Sequence, residues 1–230
     1  MPADRHPLEP GADIEITAFA WVPDFAKGLV RDLRVRWALE EAGVSYRERL
    51  LDATQQRPED YFSEQPFGQV PAYRDATVQM FESGAIVLLV AERSEALLPR
   101  DPAGRARATT WIFAALNSIE PAVTELANID IFNPDEDWAR ARRPEAERKL
   151  RARLDRLSAW LGGKDHLEGR FTAGDLMMTT VLRNLRHTDL VAEHANLAAY
   201  QARCEARPAF QRALAAQLAA FDKHAPADAA

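Results

Sequence analysis

The sequence is poor in cysteine and has no long apolar run. Cys204 is the single cysteine among 230 residues, so an internal disulfide and the C-x-x-C spacing of redox and zinc sites are both excluded. A membrane-spanning helix needs roughly 18 or more consecutive apolar residues, and the sequence has no such stretch. We therefore expect no membrane insertion and, by default, a cytoplasmic location.

Basic residues are also too few to dominate the charge. Lys and Arg total 29 against 35 Asp and Glu, which gives a formal net charge of −6. Because phosphate backbones require a basic surface, this balance argues against nucleic acid as a partner. The opening MPADRHPLEPGAD lacks the apolar core of a signal peptide, so we expect a disordered tail over residues 1–12. The histidines lack metal-ligand spacing, so no metal site is predicted.

Strand and helix patterns alternate in the first part of the chain. Residues 14–19 alternate apolar and polar side chains, and a helix carrying Leu33 and Trp37 on one face then runs to Gly43. Further elements are predicted at residues 44–51 (strand), 58–63 (short helix), 70–73 and 77–81 (hairpin with a turn at 74–76) and from Ser83 (helix). This order predicts helices packed on a small mixed sheet, an α/β domain over residues 13–96.

The second part of the chain has only helical patterns. A linker is predicted over residues 97–104, which contain two prolines and a glycine, and an all-helical domain over 105–224, followed by a tail at 225–230. Leu150, Leu154, Leu157 and Leu161 fall on one helix face. The residues expected to separate the helices are Pro134, Pro144, Gly162, Gly163, Gly169 and Pro208.

The most specific stretch is FGQVPAYRDATVQMFESGAI at residues 67–86. It places Val70-Pro71 at the start of a strand and Glu82-Ser83 at the start of a helix. RWALEEAG in the first helix, TAGDLMM and RPAFQRAL accompany it in the same chain. Together these motifs resemble the glutathione S-transferase superfamily, of the bacterial cytosolic type with a Glu-Ser motif, over about residues 14–221. The resemblance implies a thioredoxin-like N-terminal domain joined to an all-α C-terminal domain.

The resemblance also implies a site for glutathione. A cis Val70-Pro71 bond turns the Val70 backbone outward, where an extended tripeptide pairs with it like an added strand. Glu82 pairs with the γ-glutamyl ammonium group, and Ser83, at the helix N-cap, holds the carboxylate. Gln69 is a further, less supported contact. For Pro71, the alternative is an ordinary edge-strand proline. For Ser83 it is a plain helix cap, and for Glu82 it is a solvated side chain.

The group that stabilises the glutathione thiolate is left open by the sequence. Superfamily enzymes use Tyr, Ser or Cys just after the first strand, but residues 19–34, FAWVPDFAKGLVRDLR, contain none of these and no Thr. The absence argues against the cysteine-bearing classes. The remaining candidates are the indole N–H of Trp21 and the cations Lys27 and Arg31 near the start of the first helix. The alternative is that Lys27, Arg31 and Arg34 form a solvated basic face.

Two motifs belong to the helical part. Thr172 and Asp175 have capping-box spacing, which we assign to folding rather than chemistry. Trp111, Phe113 and Asn117 lie on the first helix of this part, which in the superfamily lines the pocket for the electrophile. Packing between helices is the alternative use of Trp111 and Phe113.

The expected function is therefore transfer of glutathione, as cosubstrate, to a small hydrophobic electrophile in a cleft between the domains of a homodimer. Detoxification is the implied role. A catalytically weak glutathione-binding or regulatory protein remains as one alternative, because the usual hydroxyl is missing. A glutathione-dependent lyase, isomerase or dehalogenase is the other.

Overall fold

The computed structural model describes residues 13–226, so the tail predicted at 1–12 and residues 227–230 lie outside the described residues. The chain divides into two compact units. The described part of the first contains residues 13–97 and 207–226, and the second contains residues 98–206. The domain boundaries expected from the sequence stay a prediction.

The first unit is built on the predicted small mixed sheet. Its strands are β1 (Glu15–Phe19), β2 (Arg47–Leu51), β3 (Ala72–Arg74) and β4 (Gln79–Phe81), in the order β2-β1-β3-β4. β1 runs parallel to β2 and antiparallel to β3, and β3 is antiparallel to β4. This topology confirms the expected thioredoxin-like architecture.

One helix of this unit lies between β1 and β2 in the sequence, and another follows β4. α1 (Asp32–Ala42) ends at Gly43, whose φ of 66° is the left-handed cap expected there. α2 (Ser83–Glu92) follows β4, and short 3₁₀ turns occupy Asp24–Ala26 and Glu59–Ser63.

The hairpin turn lies later than the predicted 74–76. β3 ends at Arg74 and β4 begins at Gln79. The Asp75 carboxylate sets this turn by accepting hydrogen bonds from the Thr77 backbone at 2.8 Å, the Thr77 hydroxyl at 2.7 Å and the Val78 backbone at 2.9 Å.

The second unit is entirely helical. Its helices are α3 (Pro102–Phe113), α4 (Glu120–Ala127), α5 (Asp137–Leu161), α6 (Ala173–Leu182) and α7 (Ala195–Glu205), with wide π turns at Ala114–Ile119 and Asn128–Phe132. Pro144, predicted to separate two helices, instead lies inside α5. A proline there costs roughly 3 kcal/mol. The buried apolar row of Ala146, Leu150 and Leu154 offsets that loss.

The predicted capping box is present at the start of the buried helix α6. Thr172 accepts from the Gly174 backbone at 3.2 Å, and Asp175 accepts from the Thr172 backbone at 2.9 Å. Asp175 also binds the Leu167 backbone at 2.9 Å and the Tyr200 hydroxyl at 3.1 Å. Burial raises the pKa of Asp175 despite these donors.

The last helix, α8 (Pro208–Lys223), packs against α1 in the first unit. The rings of Trp37 and Phe210 meet edge to face at 4.8 Å, and Arg207 donates to both carboxylate oxygens of Glu41 at 2.6 and 2.8 Å. These residues fall in the domain predicted at 105–224, but they pack with the N-terminal unit. A helical sequence pattern does not reveal which element a helix packs against.

Within residues 13–226 every helix is too short or too polar to span a lipid bilayer. The same residues contain no cluster of three or more His, Cys, Asp and Glu side chains suited to hold a metal ion.

Candidate active site

The loop before β3 leaves one residue's backbone available. The Val70-Pro71 peptide bond is cis, as the resemblance implied, and both side chains are buried. Within residues 13–226, the Val70 N–H and C=O have no hydrogen-bond partner. Because an unpaired N–H and C=O favour an added strand, this position suits an extended peptide.

Two buried hydroxyl groups fix the backbone on both sides of Val70-Pro71. The Tyr61 hydroxyl donates to the Gln69 carbonyl at 2.6 Å and lies 2.8 Å from the Thr17 hydroxyl. Thr17 in turn accepts from the Ala72 backbone N–H at 2.7 Å. Each hydroxyl thus makes one donated and one accepted bond, which leaves Thr17 committed to the loop. Burial raises the pKa of Tyr61, so the phenol stays protonated.

Two further side chains hold the same loop. Gln65, buried, accepts from the backbone of Phe67 at 2.7 Å and of Gln69 at 3.2 Å. Arg57 donates from Nε to the Gly68 carbonyl at 3.1 Å. Side chains rather than a strand ladder therefore determine the shape of residues 65–71, and the side chain of Gln69 remains exposed.

The start of α2 presents a carboxylate beside a buried hydroxyl. Glu82 has a φ of 71° and is exposed, and its carboxylate has no partner within residues 13–226. Holding a non-glycine residue at a positive φ costs about 1–3 kcal/mol of conformational strain. Such strained residues concentrate at functional sites. Glu82 occupies the N-cap, so Ser83 is the first helical residue rather than the cap that was predicted. The first-turn N–H groups of a helix lack intrahelical partners and favour an anion.

Arg34 of α1 lies behind Ser83. Its Nη1 donates to the Ser83 hydroxyl oxygen at 3.2 Å, and the two residues are only 3% and 5% exposed. The alternative of a solvated basic face is therefore wrong for Arg34. The position of Arg34 in the first turn of α1 gave no sign of this contact, because Ser83 is 49 residues away.

The segment between β1 and α1 contains the thiolate candidates. Trp21 follows β1, and its indole N–H is buried with no hydrogen-bond partner among residues 13–226. Lys27 forms an ion pair with Asp24 at 2.8 Å, and the hydrogen bond to Asp24 raises the pKa of Lys27. Arg31 is exposed at the N-cap of α1.

Comparison with known proteins identifies this arrangement. Residues 26–92 match the family model described as the glutathione S-transferase N-terminal domain. A glutathione S-transferase of Hyoscyamus muticus is 29% identical over 177 residues, which cover 71% of this chain and 82% of that protein. Glutathione S-transferase F14 of Arabidopsis thaliana is 30% identical over 158 residues, covering 63% of this chain and 62% of that protein. The chain belongs to the glutathione S-transferase superfamily.

A solved structure within the superfamily agrees with this assignment. It is a glutathione transferase from Burkholderia graminis with two glutathione molecules bound per subunit. Its sequence is 25% identical to this chain, with a TM-score of 0.78 and coverage of 88% of each chain. Like its curated relatives, this superfamily member is a transferase.

Two of the three electrophile-pocket candidates of this superfamily member line one cavity in the helical unit, and the third does not. Trp111 and Asn117 line a cavity of about 710 Å³ formed by α3, α4, α5 and the π turn Ala114–Ile119, whereas Phe113 lies outside the lining and is 52% exposed. The Trp111 indole donates to Glu168 at 2.8 Å, and its ring lies 5.4 Å from that of Trp160.

Proposed function

We propose that the protein binds glutathione through the Val70 backbone and the Glu82–Ser83 helix start, and transfers it to a small hydrophobic electrophile. The proposal is carried by the Val70 backbone, which is unpaired within residues 13–226, together with a buried serine at the first turn of α2. A strand-like peptide and an anionic head group are what these two features accept.

Both charged groups on the α-carbon of the γ-glutamyl residue find a complementary partner. The exposed Glu82 carboxylate suits the ammonium group, and the Ser83 hydroxyl with the first-turn N–H groups suits the carboxylate. Gln69, exposed beside Val70, is available for a further hydrogen bond to the peptide. These contacts orient the cysteine thiol without taking part in the chemistry.

Trp21 is the best-supported partner of the thiolate. A free thiol has a pKa near 8.5, and each unit of lowering requires about 1.4 kcal/mol of preference for the charged form. The indole N–H is a buried donor lacking a partner within residues 13–226, whereas the charge of Lys27 is offset by Asp24 and Arg31 is exposed. The thiolate attacks the electrophile directly, and the leaving group departs.

Trp111 and Asn117 remain the proposed electrophile contacts, supported by their place on the cavity wall. Phe113 has less support, since it lies outside that lining. A homodimer, a cytoplasmic location and a role in detoxification stay part of the proposal.

The experiment is titration calorimetry with glutathione, followed by turnover of chlorodinitrobenzene. Saturable binding with conjugate formation is expected. Failure to bind glutathione, either in the calorimeter or on an immobilised-glutathione column, would refute the proposal.

A glutathione-binding protein with weak catalysis is the second candidate. It is favoured by the absence of a hydroxyl or thiol in residues 19–34 and by the commitment of the Thr17 hydroxyl to Tyr61 and Ala72. Binding with no conjugation above the uncatalysed rate would select it.

A further inference from the structure

Arg34 is a buried cation that contacts Ser83, the residue proposed to hold the ligand carboxylate. It lies in the first turn of α1, and its Nη1 donates to the Ser83 hydroxyl oxygen at 3.2 Å. Arg34 and Ser83 are almost completely buried, so water screens this charge poorly. Arg34 belongs to none of the sequence motifs that indicate ligand binding.

The direction of this hydrogen bond decides what Ser83 offers to a ligand. A guanidinium group only donates, so the Ser83 oxygen is the acceptor and its proton points elsewhere. Within residues 13–226 the Ser83 hydroxyl has no acceptor of its own. The serine is therefore fixed as a donor, with a buried positive charge behind it.

The same helix start adds two features that match an amino-acid head group. The first-turn N–H groups of the ten-residue helix α2 favour a negative charge, and the Glu82 carboxylate lies exposed at the adjacent residue. An anion and an ammonium group joined to one carbon satisfy both.

We infer that Arg34 is a positioning residue that makes the site selective for a ligand with a free α-carboxylate, by holding Ser83 as a donor. The inference rests on the proposed function and deepens it. The guanidinium polarises the serine hydroxyl and is not required to touch the ligand.

Two ligands separate this role from a structural one. Glutathione is compared by calorimetry with 4-aminobutyryl-cysteinylglycine, which has the same length and ammonium group but no α-carboxylate. The unmodified protein should prefer glutathione by roughly 10- to 100-fold, the effect of a hydrogen bond to a charged group. In Arg34→Met that preference should shrink to below about threefold, mainly through weaker binding of glutathione.

Further variants control for loss of folding and for the removal of an arginine charge elsewhere in the protein. Arg34→Lys keeps a charged donor and should retain most of the preference, and Arg34→Leu replaces the methionine variant if circular dichroism shows that variant unfolded. Arg212→Met removes an exposed arginine of α8 that pairs with Glu40, and it should leave the preference unchanged.

The outcomes distinguish the two levels of the argument. If the binding of both ligands weakens equally in Arg34→Met or its leucine replacement, or if the preference persists there, Arg34 is structural and the inference fails while glutathione binding stands. If the unmodified protein binds neither ligand, the proposed function fails and takes the inference with it.

Discussion

The two ends of the candidate glutathione site are built very differently. Buried side chains fix the peptide-holding end, where Tyr61 and Thr17 brace the loop and Arg34 lies behind Ser83. The thiol end, residues 19–34, has no hydroxyl or thiol group and offers one buried indole N–H. Binding and thiol activation are therefore separate properties of this chain, and the structure supports binding more strongly.

The two ends differ in the chemical groups they offer, and not in how firmly their backbone is held. Gln217 of α8 donates to the Asp32 carboxylate at 2.7 Å and to the Val30 carbonyl at 3.2 Å, which pins the start of α1. Arg36 donates to Asp32 at 2.6 Å and also pairs with Glu48 on β2. Burial raises the pKa of Asp32 even beside Arg36. The thiol end is thus well anchored at α1, although it lacks the usual hydroxyl.

The largest effect is expected from Ser83→Ala at the peptide-holding end. The change removes the donor to the ligand carboxylate and leaves Arg34 without this acceptor. Glutathione affinity should fall about 10- to 100-fold, measured by calorimetry. Ser63→Ala, in an exposed serine of the 3₁₀ turn, is the matched control. An affinity equal to that of the control would place the head group elsewhere.

Tyr61→Phe tests whether the loop brace matters for binding. Losing the hydroxyl leaves the Gln69 carbonyl without this donor and the Thr17 hydroxyl without its acceptor, so the KM for glutathione should rise about tenfold while kcat changes little. The Tyr73 hydroxyl binds Asp75 at 2.8 Å instead of the loop, so Tyr73→Phe should leave KM within about twofold. Equal effects of the two variants would argue against a specific brace.

Trp21→Phe addresses the thiol end. If the indole N–H holds the thiolate, the pKa of bound glutathione should rise by about half to one unit, measured by ultraviolet thiolate absorbance, with affinity almost unchanged. Trp138→Phe, in an exposed tryptophan of α5, controls for the loss of an indole. An unchanged pKa would remove Trp21 from the mechanism.

Acid should destabilise the β3–β4 turn through Asp75. Burial raises the pKa of Asp75, but hydrogen bonds from Thr77, Tyr73 and Val78 hold it below its ordinary value. A lowered pKa in the folded state stabilises the protein above the unfolded value of about 3.9, and this stability is lost as pH falls below it. Asp75→Asn should flatten the fall of Tm below about pH 4, with a difference of about 2–4 °C. Parallel Tm profiles would contradict this account.

The smallest effect is expected from the double variant Lys27→Met and Arg31→Met. Asp24 already offsets the Lys27 charge, and Arg31 is exposed, so the thiolate pKa should move by less than about 0.3 unit. A rise as large as that expected for Trp21→Phe would transfer the role to these cations.

Local motifs made part of this site, and one helix cap outside it, predictable. Val70-Pro71, Glu82-Ser83 and the Thr172–Asp175 cap are each defined by residues close in sequence, and the cis bond and the cap were correctly predicted. The superfamily resemblance supplied the expectation of the cis bond.

The supporting residues were not predictable in the same way. Thr17 and Tyr61 meet across 44 residues, and Arg34 and Ser83 across 49. No periodicity or motif encodes such contacts, because they depend on how the strands and helices pack. The docking of α8 on α1 was missed for the same reason.

A crystal structure of the protein with glutathione tests the central claim most directly. The account predicts that the tripeptide lies along residue 70, with its α-carboxylate on Ser83, its ammonium group on Glu82 and its sulfur nearest to the Trp21 indole N–H. Glutathione bound with its head group away from the start of α2 would contradict it.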